Sequence, residues 1–357
     1  MIEVKNLTKF YGDHRAVDDL SFTIKDGTVC GFLGPNGAGK STTMNIMTGC
    51  LSATSGDVSI NGFDIFDEPI DAKKTIGYLP EQPPLYMEET PREYLRFVAE
   101  AKMIPRDRIR DEIDRVMEET QIVDVADRLI KNLSKGYRQR VGIAQTLLGN
   151  PQVIILDEPT VGLDPIQVVE IRDLIKSLGK KHTVILSSHI LSEVQNMCDE
   201  ILIISRGKLI AFDTAENLEK MMAPKTTIEV LTDATEEESR EVLSGIEGIE
   251  NIEHVEGDRG EEESGLLQIR IDTAQEEADG IRKVLSLEFA KIGRAVLKMD
   301  IVKANLEEIF IELTSPEEEH GEGQSGTSLT WAEIAANAAA DKEAEKTENE
   351  KKREEEQ

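Results

Sequence analysis

The chain's 357 residues allow one large or two modest domains, and an apolar fraction of 39% is enough for a real core. A formal charge of −29 argues against general binding to nucleic acid or anionic lipid, whose phosphates attract Lys and Arg. No uninterrupted apolar run is long enough to span a bilayer, and the opening MIEVKNLTKF lacks the apolar heart of a signal peptide, so a cytoplasmic location is expected.

Residues 1–215 alternate short β-type runs with helical stretches. VCGFL (29–33), VIILD (153–157), TVILSS (183–188) and EILIIS (200–205) are rich in branched apolar residues, which predicts a largely parallel sheet covered on both faces. Segment 90–132 is charged and helix-periodic, with apolar residues at Tyr94, Leu95, Val98, Ile109, Ile113, Val116 and Met117, and reads as an inserted helical subdomain. Cys30, Cys50 and Cys198 have no ligand or redox spacing and read as buried small hydrophobes in a reducing compartment. The pattern changes near MMAPK (221–225). Residues 226–302 read strand, helix, strand, strand, helix, strand, the order of a small ferredoxin-like α+β domain, and the short amphipathic helix ANLEEIFIELT follows. From Ser315 core-forming residues thin out, and 315–357 reads as an acidic linker and a disordered tail, with Leu329, Trp331 and Ile334 as an alternative docking face.

Two motifs carry chemistry. Gly34-Pro35-Asn36-Gly37-Ala38-Gly39-Lys40-Ser41 matches G-x-x-x-x-G-K-[ST] between the strand VCGFL and the helical run STTMNIMTG, in which Thr42 follows Ser41. Gly37 and Gly39 let successive N–H groups converge on an anion, and the following helix adds its positive end. Lys40 brings a full charge to the β- and γ-phosphates of a nucleoside triphosphate, and Ser41 offers a hydroxyl to Mg²⁺. In the second motif, Asp157 and Glu158 end the apolar run VIIL, where open α/β sheets bind ligands. Asp157 is placed for the Mg²⁺ shell, and Glu158 for polarising an attacking water.

Between them, Leu133-Ser134-Lys135-Gly136-Tyr137 resembles the signature of ABC transporter ATPases, which usually reads LSGGQ. Ser134 and Gly136 keep the pattern. Lys135 and Tyr137 depart from it in the manner of type-2 ABC exporter ATPases of the gliding-motility and multidrug kind. Phosphate loop, signature, DEPT and His189 come in that family's order and spacing, and the resemblance covers residues 1–220 closely. Alone, the pentad is equally a helix start capped by Ser134.

The resemblance implies a P-loop α/β ABC ATPase domain over 1–220 with a helical subdomain at about 82–135, and a C-terminal accessory domain over 226–314. It implies ATP and Mg²⁺ as ligands. Tyr11 falls where an aromatic stacks on adenine, and Val17 at a second base contact. Glu81 and Gln82 fall at the Q-loop, where either could reach Mg²⁺ or the attacking water. Asp164 matches the D-loop that faces a partner protomer, and His189 the switch histidine that donates to the γ-phosphate. Residues 133–137 would touch ATP held by the opposite protomer. The partners implied are a second copy or a related ATPase subunit, and a separately encoded integral-membrane permease that holds the chain on the inner face of the cell membrane. A ferredoxin-like appendage favours export over import. A non-transport ABC ATPase and a nucleotide-responsive regulator stay open as alternatives, and the transported substrate is not encoded in these residues.

Overall fold

The computed structural model describes residues 1–222, 225–246, 248–255, 266–274 and 277–303. Strands β1 (Ile2–Tyr11) and β2 (His14–Ile24) form a hairpin across Gly12 and Asp13. Apolar and polar residues alternate along both, so Ile2, Val4, Leu20, Phe22 and Ile24 share the buried face. β3 (Val29–Leu33) is buried along its whole length. After it come α1 (Lys40–Met47), β4 (Ser55–Ile60), β5 (Phe63–Asp64), α2 (Pro69–Lys74) and β6 (Ile76–Leu79).

Two helices then cross the 90–132 segment: α3 (Pro91–Ala101) and α4 (Ile109–Glu119). α3 opens with a reciprocal box in which Thr90 and Glu93 each satisfy the other's backbone N–H, with Pro91 pre-set for the first turn. Tyr94, Leu95, Ile109, Ile113, Val116 and Met117 are buried, as their helical spacing predicts. The unit continues through α5 (Lys135–Leu147), β7 (Val153–Leu156), α6 (Pro165–Gly179), β8 (Thr183–Ser188), α7 (Leu191–Met197), β9 (Glu200–Ser205) and β10 (Lys208–Asp213), and α8 (Ala215–Met222) leads out of it.

These strands make two sheets, not one. A six-stranded sheet runs β10-β9-β3-β8-β7-β6, parallel except for the β10–β9 pair, and a four-stranded antiparallel sheet runs β2-β1-β4-β5. The expectation of one largely parallel sheet therefore omitted a layer. That layer's strands carry a period-two pattern, the mark of a half-covered antiparallel sheet, whereas the parallel strands are unbroken apolar runs. The core lies between the two sheets and α1. Phe22 and Phe32 meet there edge to face with centroids 5.4 Å apart. Cys30 is buried, but Cys50 is exposed, which corrects the reading of all three cysteines as core. Cys50 lies beyond the end of α1, where the chain turns out of the core and its N–H closes on Asn45 O at 2.8 Å.

The topology fixes where chemistry can occur. β3, β8 and β7 are parallel neighbours with Leu33 opposite Ser188 and Leu156 opposite Leu186. The loops after all three strands thus leave one edge of the sheet together.

A second compact unit begins at Glu216. It contains β11 (Lys225–Thr232), α9 (Glu236–Ser244), β12 (Ile249–Val255), β13 (Leu267–Ala274), α10 (Ala278–Lys291) and β14 (Val296–Lys303), with an antiparallel sheet ordered β12-β13-β11-β14. Its own core gathers Ile228, Val230, Leu243, Ile269, Ile271, Ile281, Leu285 and Phe289. The ANLEEIFIELT segment and the acidic tail lie outside the described residues.

Candidate active site

Between the end of β3 and the start of α1, the chain makes a glycine-dependent turn. Gly37 and Gly39 have φ of +82° and +107°, and a Cβ on Gly39 would meet Ala16 O at 2.6 Å, so conformation and space both demand glycine there. α1 then presents the unpaired N–H groups of its first turn, an electropositive end. Lys40, the first residue of α1, is buried and donates to Gly34 O at 2.8 Å and Pro35 O at 3.4 Å.

The end of β7 meets this turn. Lys40 Nζ lies 3.5 Å from Glu158 Oε1, and Ser41 Oγ donates to Asp157 Oδ1 at 3.2 Å. From β8, Ser187 Oγ donates to the same Oδ1 at 2.6 Å and accepts the Glu158 N–H at 2.8 Å. His189 Nδ1 sits 3.0 Å from Glu158 Oε2 and 3.2 Å from Oε1. Glu158 has φ +47°, a left-handed conformation that a side chain adopts only under constraint. Lys40, Ser41, Glu158 and His189 face a cavity of about 360 Å³ whose walls also include Tyr11 and Gly37, while Asp157 and Ser187 are buried behind it. The arrangement supplies amide donors and a cation for an anion, and a carboxylate–imidazole pair beside them.

A second cavity, of about 390 Å³, opens at the start of α5. Ser134 caps α5 by accepting the Tyr137 N–H at 3.3 Å, and Asp164 caps α6 by accepting the Gln167 N–H at 2.9 Å. Ser134, Gly136, Tyr137, Arg140, Asp164 and Gln167 all line it. The Tyr137 hydroxyl donates to Asp124 at 2.8 Å, a bond that lifts the phenol above its ordinary range. Arg140 is buried and donates to Thr120 O at 3.1 Å, Gln121 Oε1 at 3.1 Å and Glu170 Oε2 at 2.9 Å, so its charge is spoken for.

The family model described as ABC transporter matches residues 17–161. The bacitracin transport ATP-binding protein BcrA of Bacillus licheniformis is 40% identical over 222 residues, 62% of this chain and 72% of that protein. The linearmycin resistance ATP-binding protein LnrL of Bacillus subtilis (strain 168) is 31% identical over 315 residues, 88% of this chain and 98% of that protein. This chain belongs to the ABC transporter family. It is an ATP-binding, ATP-hydrolysing subunit. Among solved structures, a dimeric ATP-binding cassette in a post-hydrolysis state, bound to ADP and Pi, superposes with TM-score 0.54 at 27% identity. The match covers 60% of this chain and 98% of that one.

Seen as an ABC ATPase, the chain distributes its sequence-predicted residues unevenly. Pro35, Asn36, Gly37, Gly39, Lys40, Ser41 and Thr42 line the first cavity, whereas Gly34 and Ala38 stay behind its wall. Tyr11 is half exposed on the rim. Val17, expected at the base, is fully buried in the core (0% exposed) and packs beneath the phosphate loop; Ala16 holds the lining position instead. The reason is local: β2 turns Val17 inward to fill the space against Gly39. Glu81 reaches the cavity wall and Gln82 does not. In the signature, Leu133 is buried, and Lys135 lies over Gly162 rather than in the second cavity. Ser187 escaped the sequence reading. The signal was a pair of hydroxyls, Ser187 and Ser188, closing the buried strand TVILSS just before His189.

Proposed function

We propose that this ATPase drives export through a separately encoded membrane permease by closing, with ATP bound, on a second copy of itself or a related ATPase subunit. The observation that carries the reading is the meeting of Lys40, Ser41, Glu158 and His189 around one cavity, with Asp157 bonded to Ser41 behind them, while Ser134 and Gly136 line another. A cavity with helix-start amides and hydroxyls but no phosphate loop fits the γ-phosphate of a nucleotide held by the partner. The dimeric state of the ADP- and Pi-bound cassette supports the same assembly.

In this reading the amides of 37–42 and Lys40 bind the phosphates, and Tyr11 stacks on adenine. Glu158 polarises the attacking water, and His189 donates to the γ-phosphate while orienting Glu158. Ser134 and Gly136 complete the site across the dimer, and Asp164 faces the partner. The adjacent Ser41 hydroxyl and Asp157 carboxylate are hard oxygen donors of the kind Mg²⁺ takes, with Glu81 within the same wall. Bound there, Mg²⁺ would offset charge on the β- and γ-oxygens. ATP favours the closed dimer because it binds that state better than the open one, and loss of the γ-phosphate releases it.

Export is supported by the resistance and transport roles in the names of LnrL and BcrA. The unit from Glu216 is read as a ferredoxin-like accessory domain from its β-α-β-β-α-β order. No helix among the described residues is long and apolar enough to cross a membrane, so the location proposed is peripheral, on the inner face, through the permease.

The test is Glu158→Gln. The variant should bind ATP, lose roughly 10²–10⁴-fold in turnover and accumulate an ATP-dependent dimer in size-exclusion chromatography with light scattering. Wild-type turnover, or a monomer at saturating ATP, would overturn the reading. Co-purification with a multi-span membrane protein supports transport, whereas recovery with ribosomes or DNA favours a non-transport ATPase.

A further inference from the structure

Glu158 and His189 stand on different segments, one on the turn after β7 and one just past β8. Their 3.0 Å contact requires those segments to be held in register. Part of the hold is Ser187, which bridges Asp157 and the Glu158 N–H. That fastens the turn on one side only. On the other side, Glu158 is followed by Pro159 and Thr160, and its own φ of +47° biases the turn to relax. Such a conformation is strained and persists only where neighbours over-determine it.

The missing restraint comes from α7. Glu193, in that helix's first turn, accepts the Thr160 hydroxyl at 2.6 Å and the Ser188 hydroxyl at 3.2 Å. Thr160 lies two residues after Glu158, and Ser188 immediately precedes His189. Both hydroxyl residues are buried, at 5% and 1% exposure, so water competes poorly for either bond. Ser188 Oγ also accepts the Ile190 N–H at 3.0 Å, which fixes its direction. One carboxylate therefore ties the far side of the Glu158 turn to the near side of His189.

We propose that Glu193 is a positioning residue for ATP hydrolysis, a latch that sets the Glu158–His189 distance without touching nucleotide. The inference rests on reading Glu158 and His189 as the hydrolytic pair. Both hydroxyls converge on a single oxygen, Oε2, which gives the latch a distinctive chemistry. An amide oxygen has two lone pairs and can accept both, so charge is not required.

The experiment measures steady-state kcat and equilibrium ATP affinity on the full-length chain. Glu193→Ala should lower kcat roughly tenfold to a hundredfold, the scale of a misplacement near 1 Å, with ATP affinity unchanged. Glu193→Gln should retain most of wild-type kcat. Thr160→Val keeps the shape and removes the hydroxyl, so it should reproduce the loss even if Glu193→Ala folds poorly, and Thr160→Ser should restore activity. The Glu193→Ala/Thr160→Val double variant should be no slower than the worse single one, because both cut the same tie. Wild-type kcat in Glu193→Ala and Thr160→Val, in a chain that Glu158→Gln inactivates, sinks the latch and leaves the hydrolytic pair standing. Wild-type turnover in Glu158→Gln sinks the pair itself. Glu193→Gln as slow as Glu193→Ala would mean the charge matters and overturn the latch. Parallel loss of kcat and ATP affinity would reduce Glu193 to a structural role and overturn it too.

Discussion

The Met1–Ala215 unit buries Lys40, Arg140, Asp157 and Glu158, whereas the polar side chains buried in the described part of the unit from Glu216 are hydroxyls: Thr232, Ser239 and Thr273. Backbone strain divides the same way. Every non-glycine residue with positive φ among the described residues lies in the first unit, Glu158 included, while the second turns on Gly248 and Gly293. Buried charge is expensive unless paired, and a left-handed side-chain residue is strained. A unit that tolerates both at one sheet edge is spending fold stability on chemistry. One that avoids both is built to hold a shape. The ion pairs among the described residues of the second unit, Arg270 with Glu229 and Arg294 with Glu238 among them, stay at the surface, where they contribute little.

The largest expected effect tests whether shape is all the second unit's core provides. Phe289 is fully buried among Ile281, Leu285 and the strand residues of that core. Phe289→Ala should destabilise this unit by about 3–5 kcal/mol, read as earlier loss of amide protection in 225–303 by hydrogen exchange. ATP affinity, set in the other unit, should not change; a parallel fall in affinity would break the contrast. Next in size is Lys40→Ala. Losing a charged donor to phosphate should weaken ATP binding by roughly 1.5–3 kcal/mol, about tenfold to a hundredfold and more, in an equilibrium titration. Unchanged affinity would discredit the phosphate-loop assignment.

How much of this was legible in the sequence follows from how local each feature is. The phosphate loop and the Asp157-Glu158 strand end are written in contiguous residues whose spacing is the geometry, so both were readable. The helical segment was readable because α3 and α4 each carry a full apolar stripe. The antiparallel layer was missed because β4 returns to β1 from far along the chain, and the period-two pattern of the β1–β2 hairpin was overshadowed by the denser apolar runs. Val17 was expected at the base, but it is buried while the adjacent Ala16 lines the cavity, and no local pattern tells such neighbours apart. Ser187, Thr160 and Glu193 are common residues whose roles arise from bonds across some thirty positions in the first two cases, as in Thr160 to Glu193 at |i−j| of 33. No local pattern announces such a bond.

The smallest expected effect sharpens the contrast from the second unit's side. Glu238 accepts from Arg294 Nη2 at 2.8 Å, the Thr235 N–H at 2.9 Å and the Thr235 hydroxyl at 3.1 Å. The Arg294 bond first, then the Thr235 backbone N–H, pull its pKa from 4.5 down to about 2. Between those values the unfolded chain binds a proton that the folded chain refuses. The Glu238 contribution is therefore complete above pH 4.5 and fades as pH falls towards 2. Glu238→Gln removes the titration, so wild type should lead the variant at neutral pH and the two should converge near pH 2. Because the chain carries 70 acidic residues, both proteins will weaken in acid, and the informative quantity is the difference between their denaturation midpoints at each pH. The pair is exposed, so added salt should narrow that difference. Curves that stay parallel down to pH 2 would mean that Glu238 gains nothing from Arg294 in the fold, and that the second unit's surface pairs are decoration on a core that is already sufficient.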